Sequence, residues 1–104
     1  MARAQFQLRA TVFDKRGRTL AVGHNSYEKT HPLQSEFAQL AGKPDALFLH
    51  AEIDALRKVK DWSKIHSIYV ERYTKKGVPA LAKPCKICER AIRQAGIKTV
   101  KFTH

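Results

Sequence analysis

Along the first residues of the chain, apolar and polar side chains alternate. Phe6, Leu8, Ala10 and Val12 fall on one side of an extended segment and Gln5, Gln7, Arg9 and Thr11 on the other, the period of a half-buried strand over residues 5–13. Asp14-Lys15-Arg16-Gly17 then reads as a turn and Thr19-Leu20-Ala21-Val22-Gly23 as a returning strand, which predicts a β-hairpin over residues 5–23. Residues 24–30 are polar, and Pro32 rules out a continuing central strand, so a loop follows. Residues 33–40 suit a short helix stopped by Gly42 and Pro44.

The pattern next changes period. Leu49, Ile53, Leu56 and Val59 recur at helical spacing while Lys58, Lys60 and Asp61 face outward, predicting an amphipathic helix over about residues 49–60 with His50 and Glu52 in its first turn. Ser67-Ile68-Tyr69-Val70 suits a buried strand. Residues 74–83, with Gly77 and Pro79, read as a loop that begins as an extension of that strand. Pro84 fits a helix start. Ile87, Ala91, Ile92 and Ala95 give the helix an apolar face, and Gly96 ends it. Residues 97–102 alternate again and close the chain with a strand. Two crossovers after a hairpin require a mixed sheet whose last strands are parallel, with helices packed on it. With no repeat, low-complexity segment or linker, residues 1–104 read as a single α/β domain.

A chain of 104 residues buries roughly two-thirds of its unfolded surface. That is enough to fold, with little stability to spare, so a bound metal or a homo-oligomer would help it. At 43% hydrophobic, with basic residues spread along the chain, it is no disordered basic tail. No apolar stretch approaches the ~20 residues that span a bilayer. The start MARAQFQLRA lacks the apolar core of a signal peptide. The expectation is a cytoplasmic protein with no membrane partner. In a reducing compartment the only two cysteines, Cys85 and Cys88, read as metal ligands or redox thiols rather than as a disulfide. The net charge of +11 suits a polyanionic partner, single-stranded nucleic acid included, or simply a well-solvated surface.

Chemistry gathers at two helix starts. Cys85 and Cys88, three apart, share a helix face and can hold one ion, and a helix N-terminus favours the thiolate that binds metal. If both helices leave the same edge of the sheet, His50 joins them. One imidazole and two thiolates make a three-ligand Zn2+ site whose fourth position stays open, the hallmark of catalytic rather than structural zinc. Such an ion activates water near neutral pH, and Glu52, two residues after the His, is placed to move its protons. CxxC alone also fits a redox pair or half of a structural zinc site, His50 a core histidine, and Glu52 a carboxylate favoured at a helix start. The pairing of the two motifs favours the hydrolytic reading.

The motifs HAEIDAL from His50 and PCKICERAI from Pro84 match the H-x-E…P-C-x-x-C signature of zinc nucleobase deaminases. With GHNS at Gly23 and AGIKTVKF at Ala95, the chain resembles the cytidine/deoxycytidylate deaminase superfamily from about Leu20 to Phe102. The resemblance implies a three-layer cytidine deaminase-like fold. It also implies an oligomer, and hydrolysis of a cytosine nucleoside or nucleotide to its uracil form. Water activated at the metal adds to C4, and Glu52 protonates N3 and then the departing amine. His50, Cys85 and Cys88 carry over as ligands and Asn25 as the ribose contact. Further expected substrate contacts are His24 and Tyr27 beside Asn25, and Ala51 and Pro84 beside the ligands. The branches that act on single-stranded DNA or RNA, tRNA included, give an alternative substrate, and a catalytically silent zinc-stabilised module a further one. TKKGVPALAKPC lacks the T-L-E-P-C wording of the deoxycytidylate and tRNA-adenosine branches. For the rest, Asn25 also suits a turn, Trp62 suits packing, and Lys75, Lys76 and Lys83 suit solvent.

Overall fold

The computed structural model describes residues 7–26, 28–43 and 48–104. The predicted hairpin is present as β1 (Gln7–Phe13) and β2 (Thr19–His24). Its turn is closed by Asp14, whose Oδ1 accepts the backbone N–H groups of Arg16 and Arg18, each at 2.9 Å. Gly17 supplies the left-handed residue, with φ of 79°. On the other side of β1 lies β3 (Ser67–Tyr73), also antiparallel. The register sets Ala10 opposite Val70 and Val12 opposite Ile68, so these four buried side chains share one face. Arg9, Thr11, Tyr69 and Glu71 share the other. There Arg9 Nε and the Tyr73 hydroxyl donate to the two oxygens of Glu71, at 2.8 and 2.7 Å.

Three helices pack on this five-stranded mixed sheet among the described residues: α1 (Pro32–Leu40), α2 (Ala51–Arg57) and α3 (Lys86–Gln94). Pro32 begins α1, where its missing N–H costs nothing, and His31 caps it by accepting the Leu33 N–H on Nδ1 at 3.1 Å. Helix α2 packs on β1 and β2, and α1 and α3 lie against each other and against α2. Ile53, Leu56, Ile68 and Ile87 fill the shared core. Trp62 is a packing residue: its ring stacks on Phe37 with centroids 6.4 Å apart, and its indole N–H donates to the Leu56 carbonyl at 2.9 Å. Where α2 crosses β2, the strand carries Gly23. A Cβ there would collide with the Ala51 carbonyl and the Ala55 amide, so glycine is what permits the close approach.

The last strand, β5 (Thr99–Phe102), pairs parallel with β3, as the crossover rule requires. Several boundaries differ from the sequence reading: α2 ends at Arg57 rather than about residue 60, α3 starts at Lys86 with Pro84 ahead of its Cys85 N-cap, and β5 starts at Thr99 rather than at residue 97. Helix α2 starts at Ala51 rather than about residue 49, because Leu49 is held extended: its N–H donates to Lys29 and its carbonyl accepts from Ser26, each at 2.9 Å. β3 runs on to Tyr73, and the expected loop after it folds back as a two-residue strand, β4 (Pro79–Ala80), paired with Arg72 and Tyr73. So short a strand, begun by proline, leaves no alternation to read. The expected strand start at Gln5 and Phe6 and the expected stop at Pro44 lie outside the described residues.

Candidate metal centre

Because β3 and β5 are parallel, the helix that precedes β3 and the helix that precedes β5 both start at the same edge of the sheet. His50 and Cys85 are the N-caps of α2 and α3, not members of the first turn as the periodicity suggested. Both are extended, with φ, ψ of −82°, 153° and −71°, 174°, and neither side chain caps its helix. Freed from capping, the imidazole and the thiol turn toward each other. Cys88 sits within α3 with its side chain fully buried.

The three meet at coordinating distance. His50 Nδ1 is 3.3 Å from Cys88 Sγ and 3.4 Å from Cys85 Sγ, and all three ligand atoms lie within 4.8 Å of one another. A tetrahedral zinc ion with ordinary bond lengths sets its nitrogen and sulfur ligands about 3.6 Å apart. The spacing therefore fits Zn2+, and two thiolates with an imidazole are the donor set that selects it.

Electrostatics treats the two thiols oppositely. The Cys88 hydrogen bond, and behind it that of His50, holds the Cys85 thiol down to about 3 against the cost of its burial. Cys88 is pushed well above the usual thiol range by its hydrogen bond to Cys85 and by burial. The same Cys85 thiolate raises His50. Glu52, on the first turn of α2, is 4% exposed. Burial pushes its carboxyl up, while a hydrogen bond with Cys88 and the His50 charge pull the other way. A buried carboxyl beside the ligands is suited to carrying a proton in either direction.

The remaining expected contacts divide. His24 ends β2 with its side chain exposed. Asn25 continues the β1–β2 ladder: its N–H donates to the Leu8 carbonyl at 3.3 Å and its Oδ1 accepts the Leu8 N–H at 2.9 Å. Ala51 is 1% exposed, so only its backbone can face a ligand, and Pro84 is half-buried next to Cys85. Tyr27 lies outside the described residues.

Three polar residues that support the centre escaped the sequence reading. Gln34 of α1, fully buried, accepts the backbone N–H of His50 at 3.1 Å. Its signal was its place on the apolar stripe of Phe37 and Ala38, three and four residues on. Asp54 accepts the His24 N–H at 2.9 Å and the Arg57 Nε–H at 2.6 Å, fixing the turn before Asn25. Thr103 accepts the Arg72 N–H at 3.0 Å and donates to the Ala80 carbonyl at 2.6 Å, and its own carbonyl accepts the Ala82 N–H at 2.8 Å. It thereby holds the segment leading into Pro84 and Cys85. Nothing in the pattern marked Asp54 or Thr103.

Among curated proteins none matches the chain. The family model described as the cytidine and deoxycytidylate deaminase zinc-binding region matches residues 1–104, which takes in both helix starts and every ligand atom of the centre. With the whole chain covered, the protein belongs to that family of zinc-binding deaminases.

Proposed function

We propose that the protein hydrolyses the exocyclic amine of a cytosine nucleoside or nucleotide, giving the uracil form and ammonia. The observation that carries this reading is the buried carboxyl of Glu52 against a His/Cys/Cys centre. His50, Cys85 and Cys88 would hold a zinc ion, which would supply Lewis acidity to a water.

The chain's residues do the proton work. Glu52 takes a proton from the attacking water as its oxygen adds to C4, and passes it to ring N3. It then delivers the second proton to the amine, which leaves as ammonia as the carbonyl forms. Desolvation suits Glu52 to this double duty, because it brings the acid and base forms closer in energy at neutral pH. Asn25, held by Leu8, is the ribose contact, with His24, Pro84 and the Ala51 backbone beside it. The excess of basic residues favours a phosphorylated substrate. The same reading has the protein working in the reducing cytoplasm, where its thiols stay available, and as a homo-oligomer that covers exposed apolar side chains such as Val78 and Leu81.

The test is to incubate the zinc-loaded protein with cytidine, deoxycytidine, their monophosphates, adenosine and short single strands, and to follow ammonia together with the mass change of replacing an amine by an oxygen. A cytosine substrate is expected to turn over, and Glu52→Ala to keep its zinc while losing at least about 100-fold in rate. No turnover of any cytosine substrate overturns the reading. Full activity in Glu52→Ala overturns the role of Glu52.

A further inference from the structure

The sheet face turned away from the helices carries a depression of about 440 Å³, within the ~300–1,000 Å³ of small-molecule sites. Its shape follows from strand register. Ser67 of β3 lies between Phe13 of β1 and Thr99 of β5, and Tyr69, two residues on, stands beside Lys101 of β5. Ile68 and Val70 point the other way, into the core beneath the helices. Two small hydroxyl side chains thus form a floor, and the rings of Phe13 and Tyr69 and the stem of Lys101 rise around it. Ser67 and Thr99 are the first residues of β3 and β5. The helices before these strands end at this edge and start at the other, so the depression and the metal centre occupy opposite faces and opposite edges of the sheet.

The fold leaves these groups unused. Among the described residues, the Ser67 and Thr99 hydroxyls and the Lys101 ammonium have no hydrogen-bond or ion-pair partner, and the rings of Phe13 and Tyr69 stack on no other ring. No acidic side chain lines the depression, and Glu71, further along the same face, is already held by Arg9 and Tyr73. His66 stands exposed at the rim, its backbone N–H donating to the Phe13 carbonyl at 2.8 Å. The chain leaving Phe13 runs into Lys15 and Arg16, and the chain behind His66 into Lys64; these three line a further cleft whose one acidic residue, Asp14, is held by Arg18 at 2.8 Å. Aromatic walls receive a flat ring. Two hydroxyls, an ammonium and an imidazole donate to anionic oxygens, and the surrounding positive field draws an anion in.

We infer that this depression is a second ligand site, separate from the metal centre, for a small flat aromatic molecule bearing an anionic oxygen group, its ring against Phe13 and Tyr69 and its oxygens on Ser67, Thr99 and Lys101. The site stands on the open sheet face alone and holds whether or not the metal centre deaminates cytosine.

The experiment titrates the zinc-loaded, nitrogen-15-labelled protein with 1-naphthoate, 1-naphthyl phosphate, neutral 1-naphthol and inorganic phosphate, and follows the backbone amide resonances. At least one naphthyl anion is expected to shift the amides of Ser67, Tyr69, Thr99 and Lys101, and to bind at least about tenfold more tightly than 1-naphthol and than inorganic phosphate. Which of the two anions binds tells a carboxylate from a phosphate. Lys101 is exposed, so its variants keep the fold: Lys101→Glu should abolish the preference for the anion over 1-naphthol, and Lys101→Arg should retain it. Shifts by neither anion at these amides overturn the inference, as do shifts confined to residues 50–52 and 85–88, which would put the anions at the metal centre. Inorganic phosphate binding as tightly as naphthyl phosphate, or an undiminished preference in Lys101→Glu, overturns it equally.

Discussion

Gln34 accepts the backbone N–H of His50 across the α1–α2 contact, at 3.1 Å and from a fully buried side chain. His50 is the N-cap of α2, and its own N–H, ahead of the helix, is satisfied by a residue from another helix. Gln34→Leu keeps much of the volume and removes the acceptor. A buried N–H left without its partner costs about 1–3 kcal/mol. The variant should be destabilised by that much in urea denaturation and should hold zinc more weakly in competition with a chromophoric chelator. Unchanged zinc affinity would show that the contact does not position His50.

Gly23 is where β2 and α2 touch. In Gly23→Ala the new methyl would meet the backbone of Ala51 and Ala55, which has no rotamer to yield, and the helix carrying His50 and Glu52 would have to shift. The expected loss is about 3 kcal/mol or more, read by denaturation, together with weaker zinc binding. A loss below about 1 kcal/mol would mean that α2 slides freely on the sheet.

Much of this was legible in the chain. Alternation revealed the hairpin and the closing strand, and a β-branched and aromatic run revealed β3, whose Ile68 and Val70 are in the core. The centre was legible because its ligands sit in two short motifs, and because a parallel β3–β5 pair brings both helix starts to one edge. What escaped was everything set by pairing across the fold. Helix periodicity cannot see that Leu49 is held extended by Ser26 and Lys29, which makes His50 an N-cap rather than a member of the first turn. β4 exists only through its register with Arg72 and Tyr73. Asp54 and Thr103 look like surface residues until the partners that bury them are known.

Asp54 makes stability depend on acidity. Burial pushes its carboxyl up, but the His24 N–H, Arg57 and Lys58 together outweigh that and hold it below its ordinary value of 3.8. A carboxyl lowered in the folded state stabilises above its unfolded value, and that contribution is lost as pH falls through the folded one. Wild type should therefore be more stable than Asp54→Asn at neutral pH, with the gap narrowing as pH falls from about 5 and on through the lowered folded value. Urea midpoints of both proteins across that range check this. A gap that widened toward acid would contradict the direction assigned to Asp54.

Removing the metal should expose an asymmetry between the two cysteines. With Cys85 held down to about 3 and Cys88 pushed up, the chelated protein carries its thiolate on Cys85, which is half-buried while Cys88 is buried. Brief treatment with iodoacetamide should modify Cys85 first, and zinc should protect it. Because ligand binding at 100-fold over Kd stabilises by about 2.7 kcal/mol, chelation should also lower the thermal midpoint by about 10–20 °C. Equal labelling of both cysteines, or a midpoint that ignores chelator, would contradict this account.

The hydrogen bond from the Ala82 N–H to the Thr103 carbonyl ties together the two ends of the segment that contains α3 and β5. α3 is thus fastened on both flanks, by this tie in front and by the β5–β3 pairing behind. The cysteine half of the centre has no hinge of its own, and Cys85 and Cys88 can leave His50 together only if the tie or the closing strand gives way. Release of the ion is then a sub-global opening. A bound metal would then be expected to exchange at a rate that follows how firmly the last strand is held.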